Sequence, residues 1–526
     1  MIRGEQVEFL LPERLNLGSF YLDVNLEEGR GEKTAIYYHD KTYSFLDLWR
    51  LTNRMGNVFR RLGVEAENRV LLVLQDSPEW VAAWLGAMKV GAVGTHAYTY
   101  LMPDDYAYLV NLIKPKVVIV DPTTLARVRQ GAQGCRYPMA FLVAGENSGK
   151  LGPGEFSLSE MVGSADERLE VESTHRDDPA FWNFSGGTTG KPKGVPHMHR
   201  DSVLSYHSFS AILGYRPDDI VLLVPKLFFH YARDNGLLFA LRSGAAVVLY
   251  GEKATSALMF ELIGKFRPTV MLNVPTMMRA MIQTPKQERS DLSCLRHCLS
   301  SGEVLSPQLY EEWLDNFGSE VIDRLGSAES GMGYLCNRLG AVKPGSSGKV
   351  APLAEIKLVD DQGLEVERGQ PGLLLTRSDA SAQCYVREHE KSKATFLGGE
   401  WINTGDIFVQ DEADYFWYVG RADEMVKVSG VWVSPLEIER VLQGCPSVRE
   451  CAALGIKDGD GLLKIQAFVA LRDGAQGLAA KRNELERFCR ERLAPHKIPR
   501  AFEFLDDLPK TGQGKIDRRL LRERVG

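Results

Sequence analysis

Long apolar runs are missing from this 526-residue chain. Its most apolar stretches, Val70–Leu74 and the segment from Trp80, meet Gln75 and Lys89 well before the roughly 20 residues a bilayer requires, so no membrane span is expected. Glu5 and Glu8 stand where a secretory leader would need uninterrupted apolar residues. A basic surplus is missing too: 63 Lys and Arg face 69 Asp and Glu, a net charge of −6. A protein that neutralises nucleic-acid phosphates carries an excess of cations, so that class is excluded. Cysteine is sparse, with eight residues, and only Cys294-Leu-Arg-His297-Cys298 clusters. No second Cys or His pair completes a site, so these are expected to be ordinary thiols and no zinc is expected. Gly (50) and Pro (24) are near average usage, which excludes collagen-like and low-complexity chains. What remains, 44% hydrophobic and 25% charged residues, is the composition of a globular protein of several domains. It is expected to be reduced and cytoplasmic, with no nucleic-acid or membrane partner.

The first 120 residues alternate between helical and strand patterns. Ser44-Phe-Leu-Asp47 is a capping-box pattern, and Phe45, Leu48, Leu51, Met55, Val58, Phe59 and Leu62 follow at helical spacing up to Gly63. Arg69–Leu74 and Val117–Val120 are continuous apolar runs, as expected of strands buried on both faces. Pro78 suits the first turn of the intervening helix. The rhythm recurs over Ile220–Val224, Ala245–Leu249 and Thr269–Asn273, which predicts a second doubly wound unit. After about residue 345 the texture turns to short strands (354–359, 372–376, 415–419). Beyond Gly420-Arg-Ala-Asp423 comes a distinct tail with helices at 436–443 and 479–493 and strands near 451–455 and 465–471. The expected fold class is α/β: a large N-terminal body of two doubly wound sheets plus a small β-rich subdomain, over 1–422, and a small mobile α+β domain over 423–526.

Two segments carry chemistry. Ser185-Gly-Gly-Thr-Thr-Gly190-Lys-Pro-Lys193-Gly194 combines glycines, hydroxyls and lysines. Glycine lets backbone N–H groups approach oxygens, hydroxyls donate further bonds, and lysine supplies charge, so the composition suits a phosphate loop. It is not a Walker A loop, because Ser185 and Pro192 stand where that pattern needs Gly and Ser or Thr. A flexible polar turn is the alternative. Near the C-terminus, Pro509-Lys-Thr-Gly-Gln-Gly-Lys515 places a lysine after a Gly-rich turn, where it is either a mobile cation or part of a solvated basic tail.

These two segments, and those between them, resemble the acyl-adenylate-forming superfamily along essentially the whole chain. Ser300-Ser-Gly302-Glu303-Val304 is similar to the segment that flanks adenine in that family. Asp323-Arg324-Leu325-Gly326-Ser327-Ala328-Glu329 is similar to its aromatic-Gly-x-Thr-Glu motif. Trp401-Ile-Asn-Thr-Gly-Asp406 is similar to the ribose-binding segment, Gly420–Gly430 to the hinge segment, and Lys515 to the catalytic lysine. Closer similarity, over Lys226–Asn235, Asp323–Asn337 and Lys427–Pro435, is to aryl-CoA ligases of the benzoate-CoA ligase type.

The resemblance implies ATP-dependent ligation of an aromatic acid to coenzyme A through an acyl-adenylate. An alicyclic or short aliphatic acid, or a carrier protein as acyl acceptor, remains the alternative. It implies ATP binding by Ser185, Gly186, Gly187, Thr188, Thr189, Gly190, Lys193, Gly302, Glu303, Val304 and Asp323 through Ser327, with Asp406 and Arg421 on the ribose. Glu329 would hold Mg²⁺, Lys515 would bridge carboxylate and α-phosphate, Asp423 would be the hinge, and Ser429 and Gly430 would line the thiol path. His230, Tyr231, Met332 and Gly333 would form the acid pocket beside Gly326. The expected partners are thus a small carboxylic acid, ATP and CoA, on a monomer or homodimer. Two departures stand out. Ala328 replaces the usual threonine, so its hydroxyl contact falls to Ser327, to water or to nothing. Gly333 is expected to enlarge the acid pocket, with His230, Arg233 and Asp234 adding polarity.

Overall fold

In the computed structural model, which describes residues 1–145, 151–186, 191–428, 431–457, 463–472, 478–510 and 516–525, the capping box at Ser44 is formed. Ser44 Oγ accepts from the Asp47 amide at 3.0 Å, and the Asp47 carboxylate accepts from Ser44 N–H at 3.0 Å. Helix Phe45–Arg61 follows and buries Phe45, Leu48, Met55, Val58 and Phe59. Helix Pro78–Lys89 begins with Pro78, whose missing N–H is harmless in the first turn, and Ser77 Oγ accepts from Trp80 N–H.

Chain contacts divide the molecule into two compact units, one of residues 1–356 and 376–402, the other of residues 357–375 and 403–526. The first holds two large sheets. In the seven-stranded sheet the order is Lys193–Met198, Pro179–Ser185, Val93–His96, Arg69–Val73, Val117–Val120, Ala140–Val143, Glu155–Ser157. All neighbours are parallel except Lys193–Met198, which returns antiparallel on Pro179–Ser185. In the nine-stranded sheet, Val321–Gly326, His297–Ser300, Val270–Asn273, Ile220–Leu223, Ala246–Leu249 and Thr34–Tyr38 run parallel in that order. Antiparallel strands close it at both ends. The sequence rhythm does not assign Thr34–Tyr38 to this second sheet; Ile36 pairs with Val247, more than 200 residues away. Short strands Glu355–Val359 and Gly372–Arg377 supply the expected β-rich texture beyond residue 345.

The second unit carries residues 403–410 of strand Trp401–Gln410, which pair in a hairpin with Phe416–Arg421. It also carries a three-stranded sheet of Val448–Lys457, Leu463–Leu471 and Ala501–Phe504. Ile438 and Leu442 of helix Pro435–Gln443 and Leu485 and Cys489 of helix Leu478–Arg490 share one buried cluster with Cys451, Ala467 and Val469 of that sheet. Arg518, near the C-terminus, forms ion pairs with Glu439 at 2.8 Å and Glu424 at 3.4 Å. Among the described residues no helix is long and apolar enough to cross a membrane.

Candidate active site

The two ends of the Gly-rich segment lie on paired antiparallel strands. Ser185 ends one strand, Lys193 begins the next, and the two residues are cross-strand partners. Glu329 lies against this hairpin: it is 9% exposed and its Oε1 accepts from Tyr385 Oη at 2.6 Å. Burial alone would raise its pKa; hydrogen bonds from Ser185 and Tyr385 and the Lys193 charge outweigh that and hold the carboxyl below its usual range. Lys193 Nζ sits 3.9 Å from the centre of the Tyr385 ring. The backbone before Glu329 is pinned by His197, whose Nε2 is 2.7 Å from Ala328 O while its Nδ1 is 3.0 Å from Asp201 Oδ2. Ala328 itself faces an apolar cluster with Val195, Ala382, Tyr385 and Phe396. Ser327 does not turn its hydroxyl outward in compensation: Ser327 Oγ accepts from Ser330 N–H at 3.1 Å.

Two further segments leave the carboxyl ends of neighbouring parallel strands, His297–Ser300 and Val321–Gly326, where open α/β sheets bind ligands. Gly302 has φ +85° with open space where a Cβ would be, and Val304 is 45% exposed. The Glu303 carboxylate accepts from Thr276 N–H at 3.1 Å and Thr276 Oγ1 at 2.7 Å, so it caps helix Pro275–Gln283. Burial pushes the Asp323 carboxyl up to about 7. Ser301 Oγ donates to Arg324 O at 2.7 Å, tying the two segments together. The second strand bulges between Leu325 and Gly326, and Gly326 faces Gly333 so closely that a Cβ would come within 2.8 Å of Met332 O.

His230, Tyr231, Gly326, Met332 and Gly333 line one cleft, along with Ser205, Asp234, Asn235, Ser301, Gly331 and Arg324. Tyr231, Asp234 and Asn235 belong to a π-helical stretch, Tyr231–Leu238, a geometry frequent at functional sites. Burial, only partly offset by Asp234, pushes His230 down to about 4, so its imidazole is neutral near pH 7. Arg233 does not reach the cleft lining. Its guanidinium is fully buried 4.5 Å from the Trp84 ring and 4.9 Å from the Phe181 ring, and it forks onto Asp234 at 2.7 and 2.9 Å. The expected enlargement at Gly333 is absent as well: a Cβ there would overlap Arg324, whose side chain takes the room that the glycine leaves.

In the second unit, Asp406 and Arg421 are cross-strand partners, with Arg421 Nη1 3.3 Å from Asp406 Oδ1 and 2.8 Å from Thr404 O. Arg421 Nε also reaches Asp423 Oδ1 at 3.4 Å. Gly405, φ +71°, lets the strand pass under this guanidinium, since a Cβ would lie 2.7 Å from Arg421 Nη2. Burial raises Asp406 to about 6 against the lowering effects of Arg421 and a Tyr418 hydrogen bond. Gly187, Thr188, Thr189, Gly190, Ser429, Gly430 and Lys515 lie outside the described residues.

Residues 24–386 match the AMP-binding enzyme family, and residues 437–515 match the AMP-binding enzyme C-terminal domain. The chain belongs to the AMP-binding enzyme family. It is 36% identical to the benzoate–CoA ligase of Thauera aromatica, over 97% of this chain and 96% of that one. The anthranilate CoA ligase AuaEII, solved in complex with anthranoyl-AMP, superposes with a TM-score of 0.91 at 36% identity, covering 98% of each chain. The benzoate CoA ligase of Burkholderia xenovorans LB400 gives 0.86 at 35% identity, over 96% of this chain and 99% of that one.

In this AMP-binding enzyme several residues of the site carry no sequence signal of their own. Tyr385 belongs to no motif, and only the tertiary fold brings it 56 positions back onto Glu329. Tyr418 reaches Asp406 through hairpin pairing. His197 and Asp201 do stand at an i, i+4 spacing, a weak cue to a buried pair. Arg324 sits inside a motif, yet its side chain lines the cleft that also holds His230 and Met332.

Proposed function

We propose that this protein joins a benzoate-like aromatic carboxylic acid to coenzyme A in two steps at one site. In the first, a carboxylate oxygen of the acid attacks the α-phosphorus of ATP; the bond to the β-phosphate oxygen breaks and pyrophosphate leaves, giving an acyl-adenylate. In the second, the CoA thiol sulfur attacks the acyl carbon, AMP leaves, and the thiol proton is lost. A free carboxylate is anionic with no usable leaving group; AMP supplies one.

The observation that carries this reading is Glu329, buried yet kept ionised beside the Ser185–Lys193 hairpin, on a chain 36% identical over nearly its whole length to a benzoate–CoA ligase. A single ionised carboxylate suits Mg²⁺, whose other ligands would be phosphate oxygens and water, and the ion would draw charge from those phosphates. The loop from Ser185 to Lys193 would bind the β- and γ-phosphates, the segments after Ser300 and Asp323 the adenosine, and Asp406 with Arg421 the ribose. Lys515 would neutralise the carboxylate and α-phosphate as they meet. Domains of residues 1–422 and 423–526 would swing about Asp423 between the two steps, placing Ser429 and Gly430 along the thiol path. The cleft around His230 and Met332 would take the acid.

A panel of aromatic, alicyclic and short aliphatic acids with ATP, Mg²⁺ and CoA, read as AMP release, tests the reading. Aromatic acids are expected to give AMP and acyl-CoA. Lys515→Ala should lower acid-dependent ATP–pyrophosphate exchange by about 10²–10³-fold, the cost of one charge-stabilising donor. A protein that forms no AMP with any acid would overturn it.

A further inference from the structure

Arg324 is 4% exposed, and its Nε and Nη2 have no hydrogen-bond partner among the described residues. Its Nη1 donates to Asn235 Oδ1, and its guanidinium carbon lies 5.1 Å from the Phe209 ring centre. Tyr231 Oη, buried in the same cleft, is also without a partner among the described residues. The carboxylate of that cleft, Asp234, is already forked by Arg233 at 2.7 and 2.9 Å. His230 is neutral near pH 7 and contributes no charge. The cleft therefore holds a buried cation with two donor positions open, next to a hydroxyl that is open too. A buried unpaired charge is costly, and such groups are normally answered by a counter-ion or a ligand. Gly333 makes the arrangement possible, since any side chain there would displace Arg324.

We propose that this cleft selects cyclic carboxylic acids carrying a second anionic group, such as a second carboxylate, held by Arg324 and Tyr231. The proposal rests on the ligase reading and names its substrate class. One carboxylate is activated on ATP; the other stays as an oxyanion on the guanidinium fork, a geometry that arginine matches with two parallel N–H donors. A site built to bond a polar group discriminates strongly against the analogue lacking it, because its own donors are then left unpaired.

The test compares kcat/KM for benzoate, 3- and 4-hydroxybenzoate, and benzene-1,3- and 1,4-dicarboxylate in the wild type, Arg324→Lys and Arg324→Met, alongside calorimetric binding of each acid to the full-length protein. A dicarboxylate is expected to exceed benzoate at least about tenfold in the wild type, a preference reduced in Arg324→Lys and reversed in Arg324→Met. Benzoate turned over as well as every dicarboxylate would overturn the proposal and leave the ligase reading standing. So would a dicarboxylate preference unchanged in both variants. If no acid yields AMP, the ligase reading falls, and calorimetry still decides the anion site: dicarboxylate binding lost in Arg324→Met supports it, and binding equal to that of benzoate overturns it.

Discussion

Glu329 and Asp406 are both carboxylates away from water, and their environments push them in opposite directions. Around Glu329, donors from Ser185 and Tyr385 plus the Lys193 charge overcome burial. Around Asp406, burial wins over Arg421, 39% exposed, and Tyr418, with Asp423 adding repulsion. Removing the Tyr385 hydroxyl takes one charge-assisted bond from Glu329, so Tyr385→Phe should raise the Glu329 pKa and lower pyrophosphate exchange about tenfold, for a bond worth ~1.5 kcal/mol or more. Unchanged exchange would separate Glu329 from the chemistry. Asp406 moves from its ordinary 3.8 up to about 6 on folding, so the folded protein holds that proton more tightly and its ionisation subtracts stability as pH rises through this window. Only the ionised form accepts two hydroxyl donors without giving up an oxygen. KM for ATP should therefore climb as pH falls through about 6 in the wild type, while Asp406→Asn gives a raised KM that is flat over the same range. An equal climb in both would reassign the titration.

At the scale of elements, the site depends on how one loop is folded between two strands. Val321–Gly326 and Gly333–Cys336 are joined by a loop that carries Ser327, Glu329 and Met332. Gly331 in that loop has φ +63°, and a Cβ would lie 2.5 Å from Ala380 O and 2.8 Å from the His197 ring. Gly331→Ala should destabilise the fold by about 1–3 kcal/mol and shift His197 from Ala328 O. A fall of several degrees in melting temperature, with a larger loss of pyrophosphate exchange than Ser44→Ala produces, is the expected result. The helix cap lost in Ser44→Ala costs about 1 kcal/mol and lies far from this loop. Helices and strands of this kind were largely legible, because apolar periodicity and capping residues act locally: Phe45–Arg61, Arg69–Val73, Val117–Val120 and Pro435–Gln443 fall where spacing places them. The hairpin strands Pro179–Ser185 and Lys193–Met198 are not legible, since Asn183 breaks the apolar run of the first and Gly194, Pro196 and His197 interrupt the alternation of the second.

On the scale of the whole molecule, the proposed pair of half-reactions at one site would call for two arrangements of its parts. Asp423, which accepts from Arg421, follows the strand that ends at that arginine, whose cross-strand partner is Asp406. Proline there restricts the dihedral freedom a hinge needs. Asp423→Pro should slow thioester formation from a preformed acyl-adenylate far more than it slows adenylate formation, and Lys515→Ala should do the reverse. Equal losses in both half-reactions would count against a swinging domain.

The sequence by itself determined the α/β class, a good part of its strands and helices, and the family, because each is written in local spacing and in short motifs that need no partner to be recognised. Only the tertiary structure decided which sheet receives Thr34–Tyr38 and that Tyr385 and His197 secure the loop around Glu329. It also decided that the space at Gly333 is filled by a buried guanidinium. Those outcomes depend on pairings between residues far apart in the chain, where volume, charge and open hydrogen bonds must balance in three dimensions at once.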